Sequence, residues 1–217
     1  LVAEGRRTVG VRARDSVDGR ELDIAARVTV NATGAAVDKL LEPLGASLRI
    51  PLLKVMNLVT ERDAGDAALG GRTAAGRSPF LVPWRGRALF GTWQAASLCR
   101  PEEAAIVEAD VVAFIGELNE AFPSLDLRLN DVTMIHRGIV PAVTSNGRIS
   151  LEGREHIHDH ASDGVGGLDG LMSVVGTKYT TARGVAERVT DRVFAKLKRE
   201  AVPCRTATVA LPGGDIK

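Results

Sequence analysis

Alternating apolar and polar positions predict extended strands at the start of the chain. Two extended runs, at 2–13 and 21–30, flank a stretch rich in Asp and Gly, which is typical of a β-hairpin. The second run ends in Asn-Ala-Thr-Gly at 31–34, and apolar residues at helical spacing follow it. Small residues at such a turn let another group approach the backbone closely. The turn is therefore either an ordinary strand-to-helix connection or one that faces a ligand.

The middle of the chain has a second β-prone pattern. Residues 49–62 and 79–93 are apolar, and Arg-Gly at 85–86 predicts a hairpin turn, so the two runs indicate a separate antiparallel sheet. Between them, residues 64–77 are rich in Gly and Ala and predict a mobile loop. Apolar positions at helical spacing after an opening Pro-Glu-Glu then predict an amphipathic helix over 101–122.

Short strands and one further helix are predicted for the last third of the chain. Residues 131–140 favour a strand, and residues 148–158 favour two short ones. An apolar strand over 171–175 leads into Gly-Thr-Lys-Tyr-Thr at 176–180. The spacing of apolar residues predicts a helix over 180–199, with a basic carboxyl end that the helix macrodipole favours.

Composition and charge narrow the class of protein. The chain has 217 residues, of which 45% are hydrophobic, and a mean hydropathy of +0.03, as expected for one large or two small globular domains. Lys and Arg number 28 against 27 Asp and Glu, so no global positive field favours nucleic acid. The two cysteines lack metal-ligand spacing, and no apolar run approaches the ~20 residues that span a bilayer. We therefore expect a reducing, cytoplasmic setting.

Three segments together resemble the FAD-dependent glycerol-3-phosphate dehydrogenase family. VNATGAAVD at 30–38 matches the family's strand that ends in Asn-Ala-Thr/Ala-Gly. VPWRGRALFGTW at 82–93 matches its Pro-Trp strand leading into Ile-Gly-Thr-Thr. VVGTKYTTAR at 174–183 matches its closing Gly-Gly-Lys-Leu-Thr-Thr-Tyr-Arg, and LPGGD at 211–215 is similar to the linker into its helical carboxyl-terminal domain. The resemblance covers nearly the whole chain.

The resemblance implies an α/β fold, in which a partial Rossmann-like FAD-binding domain is interrupted by an antiparallel β-sheet substrate domain with a flanking helix. Residues 1–48 and 146–200 would belong to the FAD domain, 49–145 to the substrate domain, and 201–217 to a linker toward a further domain. The chain begins without Met and lacks the Gly-x-Gly-x-x-Gly fingerprint that cradles a dinucleotide pyrophosphate. We therefore expect a fragment of a longer flavoenzyme, inactive and weak in FAD binding by itself.

The resemblance also assigns residues to the cofactor. A strand followed by a glycine and a helix start leaves unpaired backbone N–H groups at the positive end of a helix dipole, which suits an electron-rich ring edge. In the family this end faces the flavin, where it would stabilise the negative charge that accumulates on reduction. The expected FAD-binding residues are Ala32, Thr33, Gly34, Gly176, Thr177, Lys178, Tyr179 and Thr180.

The candidate catalytic residues are Lys178, Arg154 and Asn57. By resemblance, Lys178 would lie beside flavin and substrate, and Arg154 aligns with an arginine that holds the substrate phosphate, a role that suits a planar guanidinium. Asn57 stands where the family has a histidine, and an amide cannot take a proton from an alcohol as an imidazole can. Without the resemblance, Lys178 would be a solvated helix-start lysine and Arg154 a charge on an edge strand.

Two further departures concern the substrate. Val140 replaces a phosphate-binding arginine, although Arg137 lies close by in sequence, and Gln94 replaces an aspartate. We expect a small-molecule substrate, glycerol 3-phosphate or a related phosphorylated polyol, whose secondary alcohol is oxidised by hydride transfer to flavin, with quinone or oxygen as the electron acceptor. An amine or hydroxy-acid oxidase of the wider family and a non-catalytic module are the alternatives. Peripheral association of the whole protein with the inner face of the membrane also stays open.

Three alternating histidines form the last pattern. His156, His158 and His160 would share one face of a strand, as ligands at some metal sites do. No acidic or cysteine residue stands at a recognisable spacing from them, and the resembling family does not depend on a metal. We therefore expect no metal site.

Overall fold

A computed structural model of the chain describes residues 1–164, 167–210 and 213–214. These residues form twelve strands and three α-helices. The strands are β1 Val2–Glu4, β2 Arg7–Arg14, β3 Glu21–Ala25, β4 Thr29–Asn31, β5 Leu52–Thr60, β6 Leu69–Gly70, β7 Phe80–Trp84, β8 Arg87–Leu98, β9 Val132–Ser145, β10 Arg148–Leu151, β11 His156–Asp159 and β12 Leu171–Val175. The helices are α1 Val37–Leu41, α2 Glu108–Ala121 and α3 Ala182–Lys196.

The chain divides into two compact units. The first consists of Leu1–Arg49 and Glu152–Lys217, and the second is the continuous segment Ile50–Leu151. The expected assignment of residues 146–151 to the first part was wrong, because β10 pairs with β9 in the sheet of the second unit. The hairpin turn between these two strands explains the difference, since it keeps β10 antiparallel to its predecessor. Leu211, Pro212 and Asp215 of the LPGGD tail lie outside the described residues.

The first unit contains two three-stranded sheets. One is an antiparallel meander with strand order β1-β2-β3, which includes the hairpin predicted at the start of the chain. The other has strand order β11-β12-β4, in which β12 runs antiparallel to β11 and parallel to β4. Leu171, Met172 and Val175 of β12 are buried, as expected for a strand with neighbours on both edges.

The second unit is a six-stranded antiparallel sheet with α2 packed on one face. The strand order is β10-β9-β5-β8-β7-β6. The helix buries Val111, Phe114, Ile115 and Leu118. These side chains join a cluster contributed by the sheet, whose members are Met56, Leu58, Leu81, Ala88, Phe90 and Trp93. The alternation of strand residues therefore commits one face of the sheet to the core and leaves the other for different contacts.

The amphipathic helix begins at Glu108 and not at residue 101, so its expected start was wrong. Val107 is extended, and its backbone N–H binds the Asp110 carboxylate at 3.2 Å, which places the cap there. Glu103 of the preceding segment serves a local turn instead, in which it accepts hydrogen bonds from the backbone and guanidinium of Arg100. The last helix, α3, is also shorter than predicted, because residues 179–181 form a 3-10 turn before it.

Phe114 tests this core. Phe114 is fully buried, whereas Val112 on the same helix is 51% exposed. We expect Phe114→Ala to lower the free energy of unfolding of the parent protein, meaning the unsubstituted protein that contains this chain, by roughly 3–5 kcal/mol, because it leaves a cavity under α2. Val112→Ala is the matched control and should change it by less than about 1 kcal/mol. Denaturant unfolding followed by circular dichroism measures both, and equal effects would contradict the packing of α2.

Candidate active site

The two segments predicted to bind the cofactor follow neighbouring strands. Thr29, Val30 and Asn31 of β4 pair in parallel with residues 171–173 of β12. The turn at 32–34 and the loop at 176–180 therefore leave the sheet at the same edge, the carboxyl end of parallel strands, where ligands commonly bind in α/β sheets. The structure thus brings together two groups of residues that lie far apart in sequence.

Asn31 holds the first turn in place. Its side chain is buried, and its Nδ2 donates to the Val37 carbonyl oxygen at 3.0 Å. Its Oδ1 accepts hydrogen bonds from the Thr33 hydroxyl at 2.7 Å and the Thr33 backbone N–H at 3.3 Å. Gly34 adopts φ +61°, and apart from its chain neighbours no described residue has a heavy atom within 4 Å of the position of a Cβ there. The Asn31 side chain therefore holds the turn in position, and the space beside Gly34 would let a ligand approach the backbone.

The second loop ends in the start of a helix. Gly176 follows β12, and the 3-10 turn Tyr179–Thr181 leads directly into α3. The Thr177 hydroxyl oxygen is buried and has no hydrogen-bond partner among the described residues. Tyr179 is 98% exposed, and the Lys178 side chain is exposed as well. An orphaned buried hydroxyl next to an exposed aromatic ring and a cation fits a polar, planar group bound at this loop.

Arg154 lies at the same edge of this sheet. It precedes β11, whose first residue, His156, pairs with Val175 at the end of β12. A Cβ at Gly176 would lie 3.6 Å from the Cβ of Glu155, the neighbour of Arg154.

The polar contacts of this segment leave the Arg154 side chain exposed. The Glu155 carboxylate binds the guanidinium of Arg188 on α3, with Nε at 2.9 Å. Arg154 itself is exposed, and its backbone N–H donates to the Glu152 carboxylate at 3.1 Å.

Asn57 lies in the other unit, on β5. Gly91 and Thr92 of β8 together face this one residue, which makes a β-bulge. The bulge lets the Thr92 hydroxyl donate to Asn57 Oδ1 at 3.0 Å. A Cβ at Gly91 would lie 2.5 Å from the same oxygen, so a side chain there would displace the Asn57 amide. The hydrogen bond from Thr92 uses one of the two lone pairs of this oxygen, so the Asn57 amide can donate N–H groups to a ligand and accept one more hydrogen bond, but it is not a base that takes up a proton.

Sequence reasoning missed His136. This residue is the direct cross-strand partner of Asn57, so the two side chains lie on the same face of the sheet. Its ring packs edge-on against Trp84, with 5.2 Å between ring centroids. The histidine that the family carries on β5 is therefore absent at position 57, but an imidazole lies on the adjacent strand. The proximity of His136 to Asn57 depends on the register of β9 against β5, which cannot be deduced from the sequence alone.

Val140, the second departure from the family pattern, lies on the same sheet. Val140 pairs with Leu53 and lies four residues from His136, hence on the same face as Asn57. Arg137 pairs with Met56, which belongs to the core cluster on the opposite face. Alternation along β9 therefore keeps Arg137 away from Val140. The nearby arginine does not stand in for the one that the family has at position 140.

Gln94 and Thr92 line a pocket of about 410 Å³ within the second unit. Arg77 and Glu117 also line it and form an ion pair, with Arg77 Nε 3.0 Å from the carboxylate. Burial raises the pKa of Glu117, and Arg77 opposes that rise. Gln94 Oε1 and Arg77 Nη2 are both buried without a partner among the described residues. Arg77 is already neutralised by Glu117, so the pocket offers hydrogen bonds more than net charge.

Comparison with known proteins now defines the class. The chain belongs to the FAD dependent oxidoreductase family, whose model matches residues 2–192. The predicted cofactor of the family, FAD, and the predicted α/β fold class are confirmed. The orphaned Thr177 hydroxyl and the open turn at Gly34 are compatible with FAD at this edge.

Among the described residues, every helix is too short or too polar to cross a bilayer.

The similar proteins include glycerol-3-phosphate dehydrogenases. That of Synechocystis sp. is 28% identical over 98% of this chain and 41% of its own length. The solved glycerol-3-phosphate dehydrogenase from Bacillus halodurans, complexed with FAD, has a TM-score of 0.74 and 27% identity over 98% of this chain and 40% of its own. Glycine oxidase from Geobacillus kaustophilus has a TM-score of 0.54 at 17% identity over 83% of this chain and 44% of its own, which shows the fold alone. The chain spans about two fifths of the curated relative's length.

Proposed function

We propose that this chain supplies the flavin-facing and substrate-facing parts of an FAD-dependent dehydrogenase that oxidises the secondary alcohol of a small, phosphorylated polyol. The observation that carries the proposal is the parallel pairing of β4 with β12, which delivers the loops at 32–34 and 176–180 to one edge of the sheet. The likeness to glycerol-3-phosphate dehydrogenases supports the class of substrate. In this assignment the first unit supplies the residues that would bind FAD, and each unit supplies residues that would act on the substrate.

The first unit would hold the flavin end of FAD. Backbone N–H groups at 176–180, at the positive end of α3, would face the ring edge, and Gly34 would allow close approach from the other strand. FAD, when bound, accepts the hydride that leaves the substrate carbon. The exposed ammonium of Lys178 would stabilise the negative charge that develops at this edge. The exposed guanidinium of Arg154 would bind the substrate phosphate.

The second unit would take the proton. The oxidised hydroxyl loses its hydrogen as a proton, which needs an acceptor. Asn57 cannot supply one, whereas His136 carries an imidazole on the same face of the sheet. We assign His136 the role of proton acceptor. The amide of Asn57 would position the substrate by a hydrogen bond. The edge contact with Trp84 would keep the imidazole in place.

The electron acceptor and the cellular setting complete the proposal. Quinone or oxygen would reoxidise the flavin, and the whole protein would work in the cytoplasm or at the inner face of the membrane. The likeness to glycine oxidase extends to the fold alone and therefore gives no independent support for amine oxidation. A non-catalytic module is the outcome to expect if the parent protein carries no flavin.

The substrate preference and the residue at position 140 give the first test of the proposed function. The purified parent should show flavin absorbance and be reduced by secondary alcohols faster than by glycine. Glycerol 3-phosphate should react poorly, because the missing charge-assisted contact is worth roughly 1.5–3 kcal/mol, or about ten- to a hundredfold. Val140→Arg should recover much of this factor in kcat/KM for glycerol 3-phosphate.

Val143→Arg is the matched control for that substitution. Val143 lies on the same strand but, being an odd number of residues from Val140, on the other face. It should leave kcat/KM unchanged. A parent protein without flavin, or one reduced fastest by glycine, would overturn the proposed function. An equal response to both arginines would overturn only the placement of Val140.

Lys178 tests the electrostatic assignment. Lys178→Met keeps the length and much of the apolar stem of the side chain while removing the charge. We expect at least a tenfold fall in the rate of flavin reduction, equivalent to about 1.4 kcal/mol, with FAD still bound. Lys198→Met, at an exposed position beyond α3, is the control. Stopped-flow absorbance measures the rate, and an unchanged rate with FAD retained would show that Lys178 is a solvated lysine.

His136 tests the proton acceptor. His136→Gln retains hydrogen bonding but removes the basic nitrogen, so kcat should fall by roughly 10²- to 10⁴-fold. His156→Gln, in the first unit, should leave kcat unchanged. Steady-state turnover of the fastest alcohol measures the effect. A kcat equal to that of the parent would assign the proton to another group.

A further inference from the structure

Two imidazoles and one carboxylate converge in the first unit, apart from the residues assigned above. His158 lies on β11, His160 begins the 3-10 turn His160–Ser162, and Asp163 follows that turn. The Asp163 carboxylate lies 2.5 Å from His158 Nε2 and 2.9 Å from His160 Nδ1. One donor atom from each residue lies within 4.8 Å of the other two. The three groups therefore face a common point.

The backbone fixes the position of this cluster. The Asp159 carboxylate accepts a hydrogen bond from the Ala161 N–H at 3.1 Å, which stabilises the turn. The Leu168 N–H donates to the His160 carbonyl oxygen at 2.9 Å. A Cβ at Gly167 would lie 2.9 Å from that same oxygen, so the chain returns very close to the turn. The cluster is thus held by main-chain contacts on both sides.

The second nitrogen of His160 is also bound. Its Nε2 lies 2.8 Å from the hydroxyl of Ser173 on β12, and both side chains are fully buried. A metal-bound histidine usually donates its other ring N–H to an oxygen, which fixes the tautomer and the ring orientation. If Nε2–H is donated to Ser173, then Nδ1 presents its lone pair to Asp163. In that tautomer a lone pair and a carboxylate face each other at hydrogen-bond distance, an arrangement that a bound metal ion would stabilise.

The cluster is closed on one side and open on the other. His160 is 0% exposed, whereas the side chains of His158 and Asp163 are 35% and 31% exposed. A solvent molecule can therefore reach the cluster and complete a set of four ligands.

We propose that His158 Nε2, His160 Nδ1 and the Asp163 carboxylate form a binding site for a divalent first-row transition metal, of which Zn²⁺ suits the donors best. Zinc accepts imidazole and carboxylate together, while Mg²⁺ and Ca²⁺ prefer oxygen ligands alone. The ion would tie the end of β11 to the turn that follows it. This site does not rest on the proposed function, because none of its residues is assigned there.

The acidic partner is what the sequence pattern concealed. The three alternating histidines have no acidic residue at a familiar spacing, but the 3-10 turn brings Asp163 back to them. His156 does not join the cluster, since its Nε2 lies 3.3 Å from the Glu152 carboxylate. It shares the strand and the residue type with His158. It therefore provides a matched control.

Zinc binding by the parent protein tests the site. The protein is first treated with a chelator and dialysed. Isothermal titration calorimetry with ZnCl₂ should then show one binding site that is weakened when a residue of the cluster is replaced. Asp163→Asn and His158→Gln should each weaken that site at least tenfold. His156→Gln should leave it unchanged. Zinc K-edge X-ray absorption of the loaded protein should show two imidazole ligands, and far-UV circular dichroism confirms that each variant is folded.

Two results would overturn the proposal. One is a parent protein that binds no zinc after stripping, in which case Asp163 simply accepts hydrogen bonds from two imidazoles. The other is zinc binding that is equally tight in the folded Asp163→Asn and His158→Gln variants, which would place the ion elsewhere. Since binding is read directly, either result leaves the proposed dehydrogenase activity untouched.

Discussion

The parallel pairing of β4 with β12 is the constraint on which the first unit depends. Asn31 and Ser173 are partners in this pairing, and both are buried polar residues. Each is satisfied by a contact beyond the sheet, Asn31 with the Val37 carbonyl and Ser173 with His160. A slip of either strand by one residue would turn its polar side chain to the wrong face and leave that side chain unpaired. Polar contacts therefore set the register of the strands and, through it, the level at which the two loops begin.

A bulge plays the corresponding part in the second unit. Two residues of β8, Gly91 and Thr92, face Asn57 alone, which fixes the amide by a hydrogen bond from a hydroxyl. The core lies on the other face of the same strand, where Met56 and Leu58 contact the residues under α2. Packing on one face thus holds a polar arrangement on the other. The chemistry of that polar face is decided by side chains that the core does not constrain.

The sequence predicted local features well and contacts between strands poorly. The buried strand at 171–175, the Asn-Ala-Thr-Gly turn and the Arg-Gly hairpin each depend on neighbouring residues, and all three are present. The start of α2 was wrong, because Asp110, and not the earlier acidic residues, caps it. His136 was missed, since only the register of β9 against β5 places it beside Asn57. The roles of the candidate site residues stay predictions.

The division of the chain also bears on how it folds. Residues 29–31 and 171–173 pair across most of the sequence, and the whole of Ile50–Leu151 lies between them. Closing so long a loop is entropically unfavourable and slow while the intervening chain is disordered. Antiparallel neighbours within Ile50–Leu151 are closer in sequence, so this unit should form early and shorten the loop that remains. Cofactor-facing geometry would then be the last part of the native structure to appear, after the inserted unit has become compact.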